Sequence, residues 1–237
     1  MNASDPGPLF DRFADEYDAA LERGLALTGE GRDYYARERV AWLRRCLARA
    51  DAAPRSVLDY GCGTGDTVPL LADLSGVERV TGVDVSAASL ARARERHARP
   101  EWAFVPLSAP PPLPGEPFDL IYTNGVFHHI PPAERPAAVA WLAARLRPGG
   151  WLAFWENNPW NPGTRWIMRR VPFDADAQPL SAPAARRLLR AGGFRVIRAD
   201  FRFIFPRALR PLRRWEPALA RLPLGGQYQV LARRESA

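Results

Sequence analysis

The chain of 237 residues contains no lysine, so all 33 of its basic side chains are arginine. Methionine and cysteine each occur twice, and histidine occurs three times. Two cysteines are too few for a disulfide framework, which fits a reducing compartment. No stretch approaches the ~20 consecutive apolar residues of a membrane-spanning helix, and the acidic first residues lack the pattern of a signal peptide. We therefore expect a cytoplasmic location.

Acidic residues are scarce toward the end of the chain. Residues 163–237 hold 16 arginines against five acidic residues, within a net charge of +7 for the whole chain. A basic half suits an anionic small molecule, a membrane surface or nucleic acid, but a solvated arginine-rich face would have the same composition. With 47% hydrophobic residues, the chain can bury the core of one domain.

The most informative segment is residues 57–66, VLDYGCGTGD. It predicts a buried strand that ends near Asp59, a loop with glycine at every second position (Gly61, Gly63 and Gly65), and a helix that follows at once. Glycines allow a tight turn and a close approach of the backbone to a ligand, which a Cβ would prevent. The helix adds unpaired N–H groups and the positive end of its dipole. Together these features predict a ligand-binding loop.

The spacing of the glycines indicates the kind of ligand. Dinucleotide-binding loops follow G-x-G-x-x-G and hold a pyrophosphate, whereas here the third glycine comes one residue early and Asp66 takes its place. The carboxylates of Asp59 and Asp66 would repel a pyrophosphate but suit a ligand that carries an ammonium and a sulfonium. The segment resembles the first motif, acidic-x-G-x-G-x-G, of the class I S-adenosylmethionine-dependent methyltransferases. The resemblance implies S-adenosylmethionine as the cofactor, and we predict no metal site.

Strands and helices alternate from Arg55 onward, as a parallel sheet requires. This order is similar to that of the same methyltransferase family from Arg55 to Arg234. The resemblance implies an α/β, Rossmann-like fold: a mostly parallel seven-stranded sheet of order 3-2-1-4-5-7-6, with the last strand antiparallel and helices on both faces. The predicted strands are residues 56–60, 79–84, 103–107, 119–123, 151–156, 194–203 and 227–232. The predicted helices are residues 10–27, 35–50, 66–74, 86–97, 132–146 and 182–191.

We predict a single methyltransferase domain with three parts. Residues 1–53 would form an N-terminal helical cap, residues 54–160 the cofactor-binding core, and residues 161–237 the substrate-side loop, helices and final two strands. Ligands would bind outside the carboxyl ends of the strands, beside strand one, where the strand order reverses.

Polar residues at the ends of the predicted strands are candidates for binding the cofactor. Asp84 ends strand two, where a carboxylate can accept hydrogen bonds from both ribose hydroxyls, although an acid at a helix N-terminus would look the same. The resemblance implies that Asp59 reaches the amino group of the methionine moiety and that Asn124 contacts the same moiety. The remaining predicted cofactor contacts are Gly61, Cys62, Gly63, Gly65, Val85, Leu107, Ser108 and Tyr17.

One of these contacts departs from the pattern of the similar family, and three others have competing interpretations. Ser108 stands near the place where the similar family often has an aspartate for the adenine amino group. Val85 and Leu107 would pack on the ring faces of adenine, but core residues would look the same. Tyr17 lies on a predicted helix that resembles the one many small-molecule methyltransferases fold over the cofactor, and its apolar face also suits simple core packing.

The candidate catalytic residues are His128, His129 and Glu156. A hydroxyl acceptor must lose a proton, and histidine is the usual base near neutral pH. Two of the three histidines are adjacent at a strand end, and we favour His128 because it is closer to Asn124. Either histidine could instead pack the loop. Glu156, at the end of strand five, is the rival base, and methyl transfer can also run on alignment alone.

We predict a methyltransferase that acts on a small molecule, with oxygen as the favoured acceptor atom, in secondary or glycan metabolism. The basic half makes an anionic acceptor one option. An RNA or DNA methyltransferase is less favoured, because no nucleic-acid module or motif is found. An NAD-dependent oxidoreductase is opposed by the glycine spacing, and a catalytically silent cofactor-binding subunit stays open.

Residues 206–222, PRALRPLRRWEPALARL, form the one stretch that suggests a surface partner. Leucines and Trp215 recur at helical spacing beside four arginines. A basic amphipathic helix can rest on a membrane or bind a lipid-linked acceptor. We favour the alternative, in which this stripe covers the core of the protein.

Overall fold

The computed structural model describes residues 28–171 and 177–235. Its seven strands are β1 (Ser56–Tyr60), β2 (Arg79–Asp84), β3 (Trp102–Pro106), β4 (Phe118–Asn124), β5 (Leu146–Asn157), β6 (Phe194–Arg202) and β7 (Gln227–Arg234). Its helices are α1 (Arg32–Arg49), α2 (Val68–Ala72), α3 (Ala87–Arg96), α4 (Arg135–Arg145), α5 (Pro162–Met168), α6 (Ala182–Ala191), a 3₁₀ helix (Arg207–Trp215) and α7 (Glu216–Leu219). Within these described ranges, no helix is long and apolar enough to cross a membrane.

The strands form one sheet in the order β3-β2-β1-β4-β5-β7-β6. The pairs from β3 through to β5 are parallel, and β7 runs antiparallel to both β5 and β6. The predicted fold class is therefore confirmed. The strand order reverses between β1 and β4, so the carboxyl ends of these two strands open a crevice where loops can hold a ligand.

Hydrophobic cores lie on both faces of the sheet, because alternate residues of a strand point to opposite faces. Val57 and Leu120 belong to the core that packs against α1, α2 and α3. Their neighbours Leu58 and Ile121 belong to the core under α4 and α6. All four side chains are fully buried. Burial on both faces explains why the central strands read as continuous apolar runs in the sequence.

Among the element boundaries that differ from the predictions, those of α2 and β5 have a clear structural reason. Helix α2 covers only Val68–Ala72 because the preceding residues form turns, with Val68 N donating to Gly65 O at 2.9 Å. The predicted start of strand five at residue 151 is wrong: β5 begins at Leu146, which is buried and pairs with Phe118. A bulge in the β4–β5 ladder absorbs the extra residues. The predicted helix at residues 10–27 lies outside the described residues.

The packing predicts the stability of two matched variants. Leu58 is fully buried in the central strand, so Leu58→Ala should lower the free energy of unfolding by about 2–5 kcal/mol. Leu209 is 45% exposed, so Leu209→Ala should change the free energy of unfolding by less than about 0.5 kcal/mol. Urea unfolding of both variants measures this difference. Equal losses would contradict the described packing.

Candidate active site

The glycine loop after β1 is fastened to the end of β2. The backbone N–H groups of Gly61 and Cys62 both donate to the carbonyl of Val83, at 2.8 and 3.0 Å. Gly61 has a φ of +76°, and a Cβ there would lie 2.3 Å from Val126 Cγ2. Gly61 is therefore required both by the turn and by close packing against the loop after β4.

Gly63 is the glycine of the loop that faces open space. Its φ is +53°, it lines a large cavity, and no atom of the described residues lies within 4 Å of the position that a Cβ would take. A Cβ at Gly65 would instead lie 2.9 Å from Phe104 Cε1 and from His97 Cδ2, so packing explains this third glycine. Packing explains the glycines at Gly61 and Gly65, whereas Gly63 has a positive φ and faces the open cavity.

Asp84, at the end of β2, holds the glycine loop in place. Its carboxylate accepts hydrogen bonds from the backbone N–H of Gly63 at 2.8 Å and of Ser86 at 2.9 Å. Ser86 caps α3 in turn, with Oγ accepting from Ser89 N at 3.1 Å. These two bonds hold the glycine loop and the start of α3 against the end of β2.

Asp59 is a buried carboxylate at the floor of the cavity. Burial, together with the negative charge of Asp84, raises the pKa of Asp59 to about 7, although Arg39 acts in the opposite direction. An ammonium group bound beside Asp59 would favour the ionised form. The other acid of the motif, Asp66, is already paired with Arg32 at 2.5 Å.

Asn124, the last residue of β4, lines the same cavity. Its side-chain Oδ1 is buried and has no hydrogen-bond partner among the described residues. A buried polar atom without a partner is costly. The donor that Oδ1 lacks is one that a bound ligand, such as one with an ammonium group, can supply.

His128 and Glu156 form a buried pair. His128 Nδ1 and Glu156 Oε2 are 2.7 Å apart, and Glu156 Oε1 accepts from the backbone N–H of Phe127, also at 2.7 Å. Burial alone would raise the pKa of Glu156, but the charge and hydrogen bond of His128 and the Phe127 N–H lower it below its usual value. When His128 is neutral, an ionised Glu156 favours the tautomer with the proton on Nδ1, in which Nε2 is the acceptor nitrogen.

Most of the predicted site residues share one cavity of about 1530 Å³. This volume exceeds the roughly 300–1,000 Å³ of a site for one small ligand, so it can hold a cofactor and an acceptor together. The predicted residues that line it are Asp59, Gly61, Cys62, Gly63, Asp84, Val85, Leu107, Asn124, His128 and His129.

Three predicted site residues within the described ranges do not line this cavity. Gly65 packs beneath the loop, and Ser108 is exposed to solvent. Glu156 lies behind His128, which makes it a positioning group for the histidine in this arrangement. Tyr17 lies outside the described residues.

Sequence reasoning missed Arg39, a buried cation of α1 that lines the cavity. Its Nε donates to the Tyr122 hydroxyl at 3.1 Å and its Nη1 to Gln227 Oε1 at 3.0 Å. Both partners are neutral and lie on strands β4 and β7. Helical spacing puts Arg39 on the buried face of α1 with Ala36 and Leu43, but nothing in the local sequence separates it from the solvated arginines of the same helix.

The sheet order and the acidic glycine loop are similar to those of the class I S-adenosylmethionine-dependent methyltransferases, whose cofactor is S-adenosylmethionine. The residues present fit that cofactor: open space at Gly63, a buried carboxylate at Asp59 and an unpaired acceptor at Asn124. Residues 57–150 match the model of the Methyltransferase domain family. This match spans the glycine loop, Asp84, Asn124 and both candidate histidines.

Curated relatives are similar over part of the chain. The trans-aconitate 2-methyltransferase of Paracidovorax citrulli (strain AAC00-1) is 39% identical over 140 residues, which cover 58% of this chain and 53% of that protein. The enzyme of the same name from Azoarcus sp. (strain BH72) is 36% identical over 141 residues, again 58% of this chain and 53% of the relative. The chain thus spans about half the length of these relatives.

Solved structures are similar over nearly the whole chain. A methyltransferase from Thermotoga maritima has a TM-score of 0.65 at 19% identity, covering 97% of this chain and 99% of that one. The magnesium protoporphyrin IX methyltransferase from Synechocystis PCC 6803, solved with bound S-adenosylhomocysteine, has a TM-score of 0.62 at 16% identity, covering 96% and 99%. At these identities the likeness concerns the fold.

The loop geometry predicts different effects for two glycine variants. Gly63 and Gly193 both have positive φ and open space around a Cβ, so Gly63→Val and Gly193→Val should each cost at least about 1 kcal/mol of stability through backbone strain. At Gly63 the side chain also enters the cavity, and affinity for S-adenosylhomocysteine should fall by roughly a hundredfold or more. Calorimetry on both variants measures this. Normal binding by Gly63→Val would show that the loop is only structural.

The raised pKa of Asp59 predicts a pH dependence of ligand affinity. Below its pKa of about 7, Asp59 is protonated. If its carboxylate binds the ammonium of S-adenosylhomocysteine, binding at such a pH requires that this proton be lost first. Affinity should then fall by about tenfold per pH unit below that value and level off above it. Asp59→Asn should bind more weakly, with a nearly flat pH profile. A variant that keeps the wild-type slope would rule out this role.

Proposed function

We propose that this protein transfers a methyl group from S-adenosylmethionine to an oxygen atom of a small molecule. The His128–Glu156 pair carries the proposal, because it places an imidazole with a defined acceptor nitrogen at the wall of the cavity that Asn124 and Asp59 also line. When bound, S-adenosylmethionine supplies a strongly electrophilic methyl group. The protein then has to align the acceptor and remove its proton.

The roles of the residues follow from their surroundings. Asp59 and Asn124 would bind the ammonium of the methionine moiety, and Arg39, with two neutral partners, would offset the charge of Asp59 or bind a carboxylate. Asp84 would bind the ribose hydroxyls while it holds the glycine loop. His128 Nε2 would accept the proton of a hydroxyl acceptor, and Glu156 would stabilise the imidazolium that forms. His129, whose ring centroid lies 4.1 Å from that of His128, would support its orientation.

A carboxylate acceptor is the second candidate, and two observations favour it. Two of the curated relatives are named trans-aconitate 2-methyltransferase, and aconitate is a carboxylate. Arg39 gives the cavity a buried cation whose described hydrogen-bond partners are both neutral. A carboxylate is already ionised at neutral pH, so its methylation needs no base. The two candidates therefore differ in what they require of His128.

The test replaces each member of the pair and measures turnover at saturating S-adenosylmethionine against a panel of hydroxyl and carboxylate acceptors. For a hydroxyl acceptor, His128→Gln should lower turnover by roughly 10²–10⁴-fold, while affinity for S-adenosylhomocysteine stays near that of the wild type. Turnover of the wild type should rise with pH as the imidazole loses its proton. Glu156→Gln should move this rise to lower pH, because the imidazolium loses its negative partner.

His129→Gln is the matched control, and its turnover should stay within about tenfold of the wild type. Normal turnover of His128→Gln on a carboxylate, with a flat pH profile, would support the second candidate. If no acceptor is methylated although S-adenosylmethionine binds, the proposal of an active enzyme fails and a cofactor-binding subunit takes its place.

A further inference from the structure

Large apolar side chains are exposed mainly on one part of the surface. The structure exposes nine of them among the described residues, and seven lie in residues 158–171 and 205–226, which we call the rim face. Trp215 is 55% exposed, Trp160 53% and Leu224 52%. The expectation that residues 206–222 cover the core is therefore wrong for most of this segment.

The backbone explains why this stripe stays outside. A helical stripe needs a period of 3.6 residues, but residues 207–215 form a 3₁₀ helix with Pro211 inside it and a break at Leu209, where φ is −108°. None of the nine residues of this helix is buried. Leu209 and Leu212 are left exposed beside Trp215.

Every exposed charge on the described rim face is positive. The 3₁₀ helix and the residues after it expose Arg207, Arg210, Arg214 and Arg221, and the other segment exposes Arg165, Arg169 and Arg170. The only acid in either segment, Glu216, is buried and accepts hydrogen bonds from the backbone N–H of residues 203–205. The rim face therefore combines apolar side chains with a single sign of charge.

The two segments are bound to each other and border the cavity. Asn158 Nδ2 donates to Gly225 O at 2.8 Å, and Asn161 Nδ2 donates to Leu224 O at 2.8 Å. Asn161 and Phe205, one from each segment, line the cavity that holds the candidate active site. The rim face is thus a fixed surface that borders this cavity.

We propose that the rim face binds an anionic lipid surface and brings the cavity entrance to it. Tryptophan prefers the interface between water and lipid, leucine gains from insertion among acyl chains, and arginine is attracted to anionic headgroups while its stem covers apolar surface. Nucleic acid would use the arginines but would leave the leucines in water. This inference is independent of the chemistry of the methyl acceptor.

The test mixes the full chain with sedimentable vesicles of phosphatidylcholine alone or of equal parts phosphatidylcholine and phosphatidylglycerol. The protein should sediment with the anionic vesicles, stay in solution with the neutral ones, and be released as the salt concentration rises. This measurement needs neither cofactor nor acceptor, so its outcome does not depend on the proposed function.

Two double variants separate the contributions to binding. Arg210→Gln with Arg214→Gln, and Leu212→Gln with Trp215→Gln, should each lower the partition onto anionic vesicles by roughly tenfold or more. The matched controls are Arg187→Gln with Arg190→Gln on α6, and Ile197→Gln on β6, all exposed and outside the rim face. The controls should bind as the wild type does, and unchanged affinity for S-adenosylhomocysteine reports that each variant is folded.

Three outcomes would overturn the proposal. The wild type could fail to sediment with anionic vesicles. The control variants could lose as much binding as the rim variants, which would indicate a general effect of net charge. Competing RNA could displace the protein from vesicles while the Leu212→Gln, Trp215→Gln variant binds RNA normally, which would indicate a nucleic-acid surface.

Discussion

The arrangement of the site depends on the parallel pairing of β1 with its two neighbours. In this register Asp59 lies beside Gly82 on one side and Tyr122 on the other. Because all three strands end at the same edge, the glycine loop, the end of β2 and Asn124 open onto one cavity. A shift of one residue would turn Asp59 to the opposite face of the sheet and separate it from these groups.

Carboxylates then fix the loops that this pairing brings together. Asp84 binds the backbone of the glycine loop, Glu156 binds the backbone at Phe127 and the ring of His128, and Glu216 binds three successive N–H groups after β6. Each satisfies donors that would otherwise be buried without partners. The same bonds that stabilise the loops also orient the groups we assign to binding and proton transfer.

The fold and much of the cavity lining could be predicted from the sequence. The motif around Gly63 and the alternation of strands and helices are local patterns. The sheet order could therefore be inferred from their resemblance to a known family. The boundaries at α2 and β5 could not be predicted, because they depend on turns and on the pairing of Leu146 with Phe118. Sequence rules take Pro-Gly-Gly as the end of a helix or strand. Here the buried residues on both sides of it belong to one strand, β5.

The sequence by itself determined which residues end the strands, and therefore that Asp59, Asp84, Asn124 and His128 would meet at one edge. Only the tertiary structure decided what those residues do for one another. In the folded chain Glu156 is hydrogen-bonded to His128, and Arg39, one of several arginines of α1, lines the cavity. Leu212 and Trp215 are exposed to solvent. The reason is that hydrogen-bond partners and burial are set by contacts between segments far apart in the chain, whereas a local pattern records only the residues within a few positions of one another.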